Sequence, residues 1–165
     1  LNGLQATEWY TPFDGIEVCL NHEKCLTIHA PAVCNQTLVT NDIAELQTFK
    51  TDENEAFVRF RIIGRKDNVI DSGGVKIQIE EVERTLKPHL SGDFAITSIT
   101  DEKFGEAVVL LTTLTDITIV DAICKKILPK FWQPRHIFHT DNIPQTETGK
   151  PARANIRQLA RQINK

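Results

Sequence analysis

At 165 residues, with 19 Lys and Arg against 22 Asp and Glu and a formal net charge of -3, the chain has no broad positive field to gather nucleic acid or an anionic membrane. No apolar run approaches the roughly 18 to 20 residues of a membrane span, and no basic stretch followed by an apolar one marks a signal peptide. Such a length buries one ordinary core or two small ones, and a chain that starts at Leu1 and contains no methionine reads as part of a larger protein.

In chain order, Trp9, Tyr10 and Phe13 beside Pro12 form an aromatic cluster suited to packing or docking. Short alternating runs follow at Ile16 to Leu20, Leu26 to Ala30, Thr37 to Thr40, Glu45 to Phe49 and Phe57 to Ile63, separated by turn-forming Asn, Asp, Pro and Lys. They predict a small antiparallel sheet, with hairpin turns at Asn21-His22-Glu23-Lys24 and Thr51-Asp52-Glu53-Asn54-Glu55. Cys19 and Cys25 approach each other across the first of these. The cysteines, with Cys34 and Cys124, include no C-x-x-C pair, so reduced structural thiols are expected, in a cytoplasmic protein.

The periodicity changes after Gly64. Ile79, Val82 and Leu86 recur at helical spacing until Pro88, and strands follow at Phe94 to Ile99 and Ala107 to Thr112. Asp116 can cap a second helix that turns Ile117, Val120, Ile123, Cys124, Ile127 and Leu128 inward, before Pro129 and Pro134 end it. Trp132, between those prolines, suits a small core. Arg135 to His139 reads as a strand, on which His136 and His139 project to opposite faces and share no metal. In the last helix Pro151 suits the first turn, Ile156, Leu159, Ala160 and Ile163 line one face, and Arg153, Arg157 and Arg161 take the outer one. The expected fold is α+β: a small antiparallel β subdomain over 1–63, then a domain over 64–165 with a three-stranded sheet, a β-ribbon and three helices.

Three segments can carry chemistry. Ile143 to Arg153 contains Pro144-Gln145-Thr146-Glu147-Thr148-Gly149-Lys150, a polar loop that presents one lysine just before a helix. Gly149 lets amides converge on an anion, the helix end is partly positive, and Lys150 adds a mobile charge. An ordinary helix start with a solvated lysine is the alternative. Gly64-Arg65-Lys66-Asp67 runs into Ile70-Asp71-Ser72-Gly73-Gly74-Val75-Lys76 and the helical Glu80-Glu81-Val82-Glu83. There a ligand can pass against Gly73 and Gly74 while Arg65 and Lys76 hold a ribose or phosphate, unless the glycines merely make a turn. Val39-Thr40-Asn41-Asp42 ends a strand in a carboxylate that can accept from both hydroxyls of a ribose, or cap a turn.

In this order and spacing the segments resemble the AMP-forming adenylating enzymes: acyl-CoA synthetases, peptide-synthetase adenylation domains and luciferases. The resemblance covers nearly the whole chain. It implies a carboxyl-terminal lid that swings between two orientations over a large amino-terminal domain. That domain, absent here, would hold ATP, magnesium and a small carboxylic acid, with CoA as second substrate. By resemblance, Lys150 matches the catalytic lysine of adenylation, Asp42 and Arg65 the ribose-binding pair, and Asp67 the hinge. Gly73, Gly74 and Lys76 match the loop that approaches pantetheine and nucleotide, and Glu81 and Glu83 the paired acids that support that loop. The family's phosphate loop and its Tyr-Gly-x-Thr-Glu segment are missing, Thr7-Glu8 being preceded by Gln5-Ala6. The chain alone is therefore expected neither to hold ATP tightly nor to form acyl-adenylate. A binding module that kept the fold without the chemistry, transfer to a carrier protein, and a homo-oligomer all remain open.

Overall fold

A computed structural model describes residues 8–50 and 56–165. The chain divides into two compact units, Leu1–Asp67 and Asn68–Lys165. The Thr51 to Glu55 turn, and all but Glu8 of the Gln5 to Glu8 segment, lie outside the described residues.

The first unit is a four-stranded antiparallel sheet in the order β1-β2-β3-β4, comprising β1 (Glu17–Leu20), β2 (Cys25–Ala30), β3 (Cys34–Lys50) and β4 (Ala56–Arg65). The turn between β1 and β2 is set by Asn21, whose Oδ1 accepts from the Glu23 and Cys25 amides at 2.9 and 2.8 Å, with Lys24 at φ 62°. An Asx turn of this kind is what the sequence predicts. Its register places Cys19 opposite Thr27, not Cys25, and all four cysteines are free. The two strands expected over 37–49 are one 17-residue strand. Asn41 and Asp42 read as a chain reversal, but they sit beside a bulge, where the pairing shifts from Ile43↔Gly64 to Ala44↔Ile62. A bulge breaks the period-two pattern without ending the strand. Trp9 meets Phe49 edge to face and Tyr10 lies against Phe60, whereas Phe13 is 80% exposed.

The second unit contains β5 (Val69–Ser72), β6 (Val75–Gln78), α1 (Ile79–Leu86), β7 (Phe94–Asp101), β8 (Gly105–Thr112), α2 (Ile117–Ile127), β9 (His136–His139) and α3 (Arg153–Ile163). β8 is central. β7 pairs antiparallel along its whole length, β9 pairs parallel with Val109 to Thr112, and the β5-β6 ribbon joins through Ser72↔Gly105. This is the expected three-stranded sheet with its ribbon. Ala107 to Leu111 are all buried because both faces of the sheet are covered. Ile96, Val108 and Leu110 face Val82 and Leu86 of α1 and Val120 and Cys124 of α2, whereas Ala95, Val109 and Leu111 face Ile156 and Ala160 of α3.

Asp116 caps α2, its Oδ1 accepting from the Thr118 and Ile119 amides at 3.1 and 3.2 Å, and the helix ends before Pro129. Trp132 packs against the α1-α2 core. Two helix ends differ from expectation: Ile117, in the first turn of α2, and Ile163, in the last turn of α3, are 40% and 41% exposed.

Candidate functional site

The Lys150 loop closes on itself. Gln145 and Pro151 oppose each other as an antiparallel bridge, the Thr146 amide donates to the Lys150 carbonyl at 2.8 Å, and the Ala152 amide donates to that of Pro144 at 2.9 Å. Gly149, at φ 75°, makes the reversal, and its amide donates to the Thr146 carbonyl at 2.9 Å. The Lys150 amide donates to Thr146 Oγ1 at 3.2 Å. The Gly149 and Lys150 amides, expected to help converge on an anion, are thus both taken by Thr146. Pro151 belongs to the bridge and not to the first turn of α3, which begins at Arg153. What remains for a ligand is the side chain of Lys150, exposed and in no ion pair among the described residues. A braced backbone thus carries one mobile positive charge.

The loop's far end is anchored. Arg153 Nη1 and Nη2 donate to Glu83 Oε1 and Oε2 at 2.7 and 2.8 Å, and the Ile96 amide donates to Glu83 Oε1 at 2.9 Å. Burial works against the charged guanidinium, but the hydrogen bonds and charge of Glu83, with Glu80 adding, outweigh it and hold Arg153 above its usual range. Arg153 is thus not on the outer face, and Glu83 serves the lysine loop's helix instead of the glycine loop. One turn on, Arg157 reaches Glu106, which also accepts from Ser98 Oγ at 2.8 Å and from the Asp71 amide at 2.9 Å. These partners lie 70 and 51 residues apart, beyond any local pattern.

Gly73 and Gly74 form the two-residue turn of the β5-β6 ribbon, at φ 62° and 85°. Positive φ at both central residues is the hairpin geometry that glycine favours. They are not equivalent. A Cβ on Gly73 would lie 2.9 Å from the Phe104 ring, whereas one on Gly74 would meet nothing within 4 Å. The Gly73 amide donates to the Phe104 carbonyl at 2.8 Å, and Arg135 stacks on that ring at 3.7 Å from its centroid. Phe104, Arg135 and Glu106 carry no local mark in the sequence, because their partners lie in distant segments. Lys76 pairs with Asp71 across the ribbon, and that bond foremost holds the Asp71 carboxyl below its usual range. The ammonium of Lys76 is therefore shared before any ligand arrives.

In the first unit, Asp42 and Arg65 are direct cross-strand partners of β3 and β4. The Asp42 amide donates to Thr40 Oγ1 at 3.1 Å, and that hydroxyl donates to the Leu26 carbonyl at 2.8 Å, so Thr40 fixes the backbone that presents the carboxylate. Asp67 Oδ2 lies 3.4 Å from both Arg65 Nη2 and Asn41 Nδ2. The described His, Cys, Asp and Glu residues gather in no group that would hold a metal ion. No described helix is long and apolar enough to cross a membrane.

No family model matches the chain. Over 103 residues, 59% of its length, it is 36% identical to an oxalate-CoA ligase from Arabidopsis thaliana, and over 103 residues it is 34% identical to a peroxisomal trans-cinnamate:CoA ligase from Petunia hybrida. It spans about a fifth of the length of these curated relatives, 20% and 18%. An AMP-forming acyl-CoA synthetase/AMP-acid ligase II-like protein from Dyadobacter fermentans superposes with a TM-score of 0.52 at 27% identity, covering 96% of this chain and 45% of that one. The o-succinylbenzoate CoA synthetase of Bacillus subtilis gives 0.70 at 18% identity, with 88% and 34% covered, a likeness of fold alone. The fold is thus that of a portion of the AMP-forming acyl-CoA ligases, a class of acid-thiol ligases to which the chain is similar in sequence as well.

Proposed function

We propose that the chain is the carboxyl-terminal part of an ATP-dependent acyl-CoA ligase that joins an acid to CoA and releases AMP and pyrophosphate. One observation carries the reading: Lys150 is an exposed, unpaired charge among the described residues, on a loop whose backbone is closed by its own hydrogen bonds. Such a charge can bridge the acid's carboxylate and the α-phosphate of ATP, where negative charge builds as acyl-adenylate forms. ATP and its magnesium would be held largely by an amino-terminal domain outside these 165 residues. Asp42 and Arg65 would hold the ribose, Lys76 would serve in nucleotide binding, and Asp67 would be the hinge. Gly74, with no atom near its missing side chain, gives the second half-reaction a place for the pantetheine arm of CoA to pass, Gly73 completing the turn. A cytoplasmic setting belongs to the same reading.

For the acid, Asp67 to Lys76 together with Val39 to Ile43 are worded most like o-succinylbenzoate-CoA ligase of menaquinone synthesis, and we propose o-succinylbenzoate as the substrate. Fatty acids and aryl acids are the alternatives, and oxalate and trans-cinnamate, named for the two plant relatives, are further competitors. The test uses the full-length protein. With the correct acid, Lys150→Ala lowers acid-dependent pyrophosphate exchange at least a hundredfold and leaves CoA thiolysis of supplied acyl-adenylate within a few fold. Equal loss in both steps sinks the lysine's role, and exchange with oxalate but not o-succinylbenzoate sinks the substrate.

A further inference from the structure

The lysine loop and α1 are joined by one pair of side chains far apart in sequence. Glu83 is held at three points, by both terminal nitrogens of Arg153 and by the Ile96 amide, and its neighbours Val82 and Leu86 are wholly buried. The two side chains are only 25% and 19% exposed, for Arg153 and Glu83. A bidentate guanidinium-carboxylate pair fixes direction as well as distance, which a lysine in its place cannot do. Ala152, at the N-cap of α3, offers no side-chain hydrogen bond to the first turn, which is held by the buried Ile156 and by this pair. Only Pro151 and Ala152 lie between Arg153 and Lys150, and Pro151 is locked in the bridge to Gln145. The slack between clamp and ammonium is thus little more than the lysine's own side chain.

We infer that Glu83 and Arg153 are positioning residues for Lys150: the pair fixes the foot of its loop to α1 and β7 so that the ammonium is delivered to the adenylation centre in one geometry. The inference rests on the reading of Lys150 above. A displacement of about 1 Å at a catalytic group can cost on the order of a hundredfold in rate, so the clamp acts on turnover and not on the general attraction of an anion. Arg157 is the internal comparison. It lies one turn along the same helix but is tied to Glu106 and, through it, to β5 and β7, not to α1.

The experiment compares Arg153→Lys, Arg153→Ala, Glu83→Gln, the double variant Glu83→Gln/Arg153→Lys, Arg157→Ala and Lys150→Ala in the full-length enzyme. It measures pyrophosphate exchange with kcat and KM for ATP separated, thiolysis of supplied acyl-adenylate, and Tm. Arg153→Lys and Glu83→Gln each lower the kcat of exchange about 10- to 100-fold, with KM for ATP and thiolysis changed less than about threefold. The double variant loses no more than the worse single one, as expected of two groups that act as a unit. Arg157→Ala stays within about threefold of wild type in exchange. Arg153→Lys keeps charge and length, so it carries the test if Arg153→Ala does not fold. Full exchange in Arg153→Lys and Glu83→Gln, additive losses, or equal losses in thiolysis or in Arg157→Ala overturn the clamp. If Lys150→Ala itself exchanges normally, the lysine reading fails first; if Lys150→Ala is inactive while both clamp variants are normal, the clamp alone fails.

Discussion

The two loops of the second unit solve opposite problems. The Lys150 loop uses Thr146, Gly149 and the Gln145-Pro151 bridge to satisfy its backbone, and leaves one charged side chain open. The Gly73-Gly74 turn does the reverse: its nearby charges, Lys76 and Asp71, pair with each other, and what stays open is empty space beside Gly74. One loop presents a charge and the other a clearance. On the proposed function, the first would serve a step in which negative charge builds and the second a step in which a long thin substrate must pass.

The largest effect separating the loops is that of Lys150→Ala, a loss of at least a hundredfold in exchange with thiolysis spared. Next comes Gly73→Ala, which forces a Cβ to 2.9 Å from a Phe104 ring held by Arg135, at a positive φ. It should destabilise the protein by about 2 kcal/mol, read as a lower urea midpoint; an unchanged midpoint would show that the ring yields. Gly74→Asn is the finer probe, since asparagine tolerates positive φ and the space is open. Its fold and exchange should be normal while thiolysis falls about tenfold, and normal thiolysis removes the clearance argument. The smallest effect concerns Cys124, whose thiol burial pushes up from 9.0 to about 11, Asp121 adding. The folded state then keeps a proton that the unfolded chain releases. This contribution to stability is complete below the unfolded value and disappears as pH rises through about 11. At pH 8 a disulfide reagent should label Cys19 and Cys34, which are exposed, well before Cys25 and Cys124; early labelling of Cys124 would show an open α2.

Most of the fold was legible because its elements carry local marks: the Asp116 cap, the Asn21 turn, the period of Ile79, Val82 and Leu86, and the unbroken apolar run in β8. The failures share a cause. Asn41 and Asp42 look like turn residues but sit beside a bulge, a choice made by the partner strand β4. Arg153 looks solvated by helical phase, yet it is half-buried against a carboxylate from a distant segment, whereas Arg157 stays on the exposed face and still reaches Glu106. The proposed site residues stand in the sequence as a motif, not as a contact map: the difference between Gly74 and Gly73 depends on Phe104, a neighbour only in three dimensions.

One edge of β8 has a further consequence. Since β7 occupies the other edge throughout, the ribbon at Gly105 and β9 from Val109 onward must divide this one between them. The strand is a gauge block: four residues, about 13 Å, set the offset between the piece that ends in the glycine turn and the piece that leads to the lysine. A single residue inserted between Glu106 and Val108 would change that offset and reverse which side chains face each helix layer, without touching either loop.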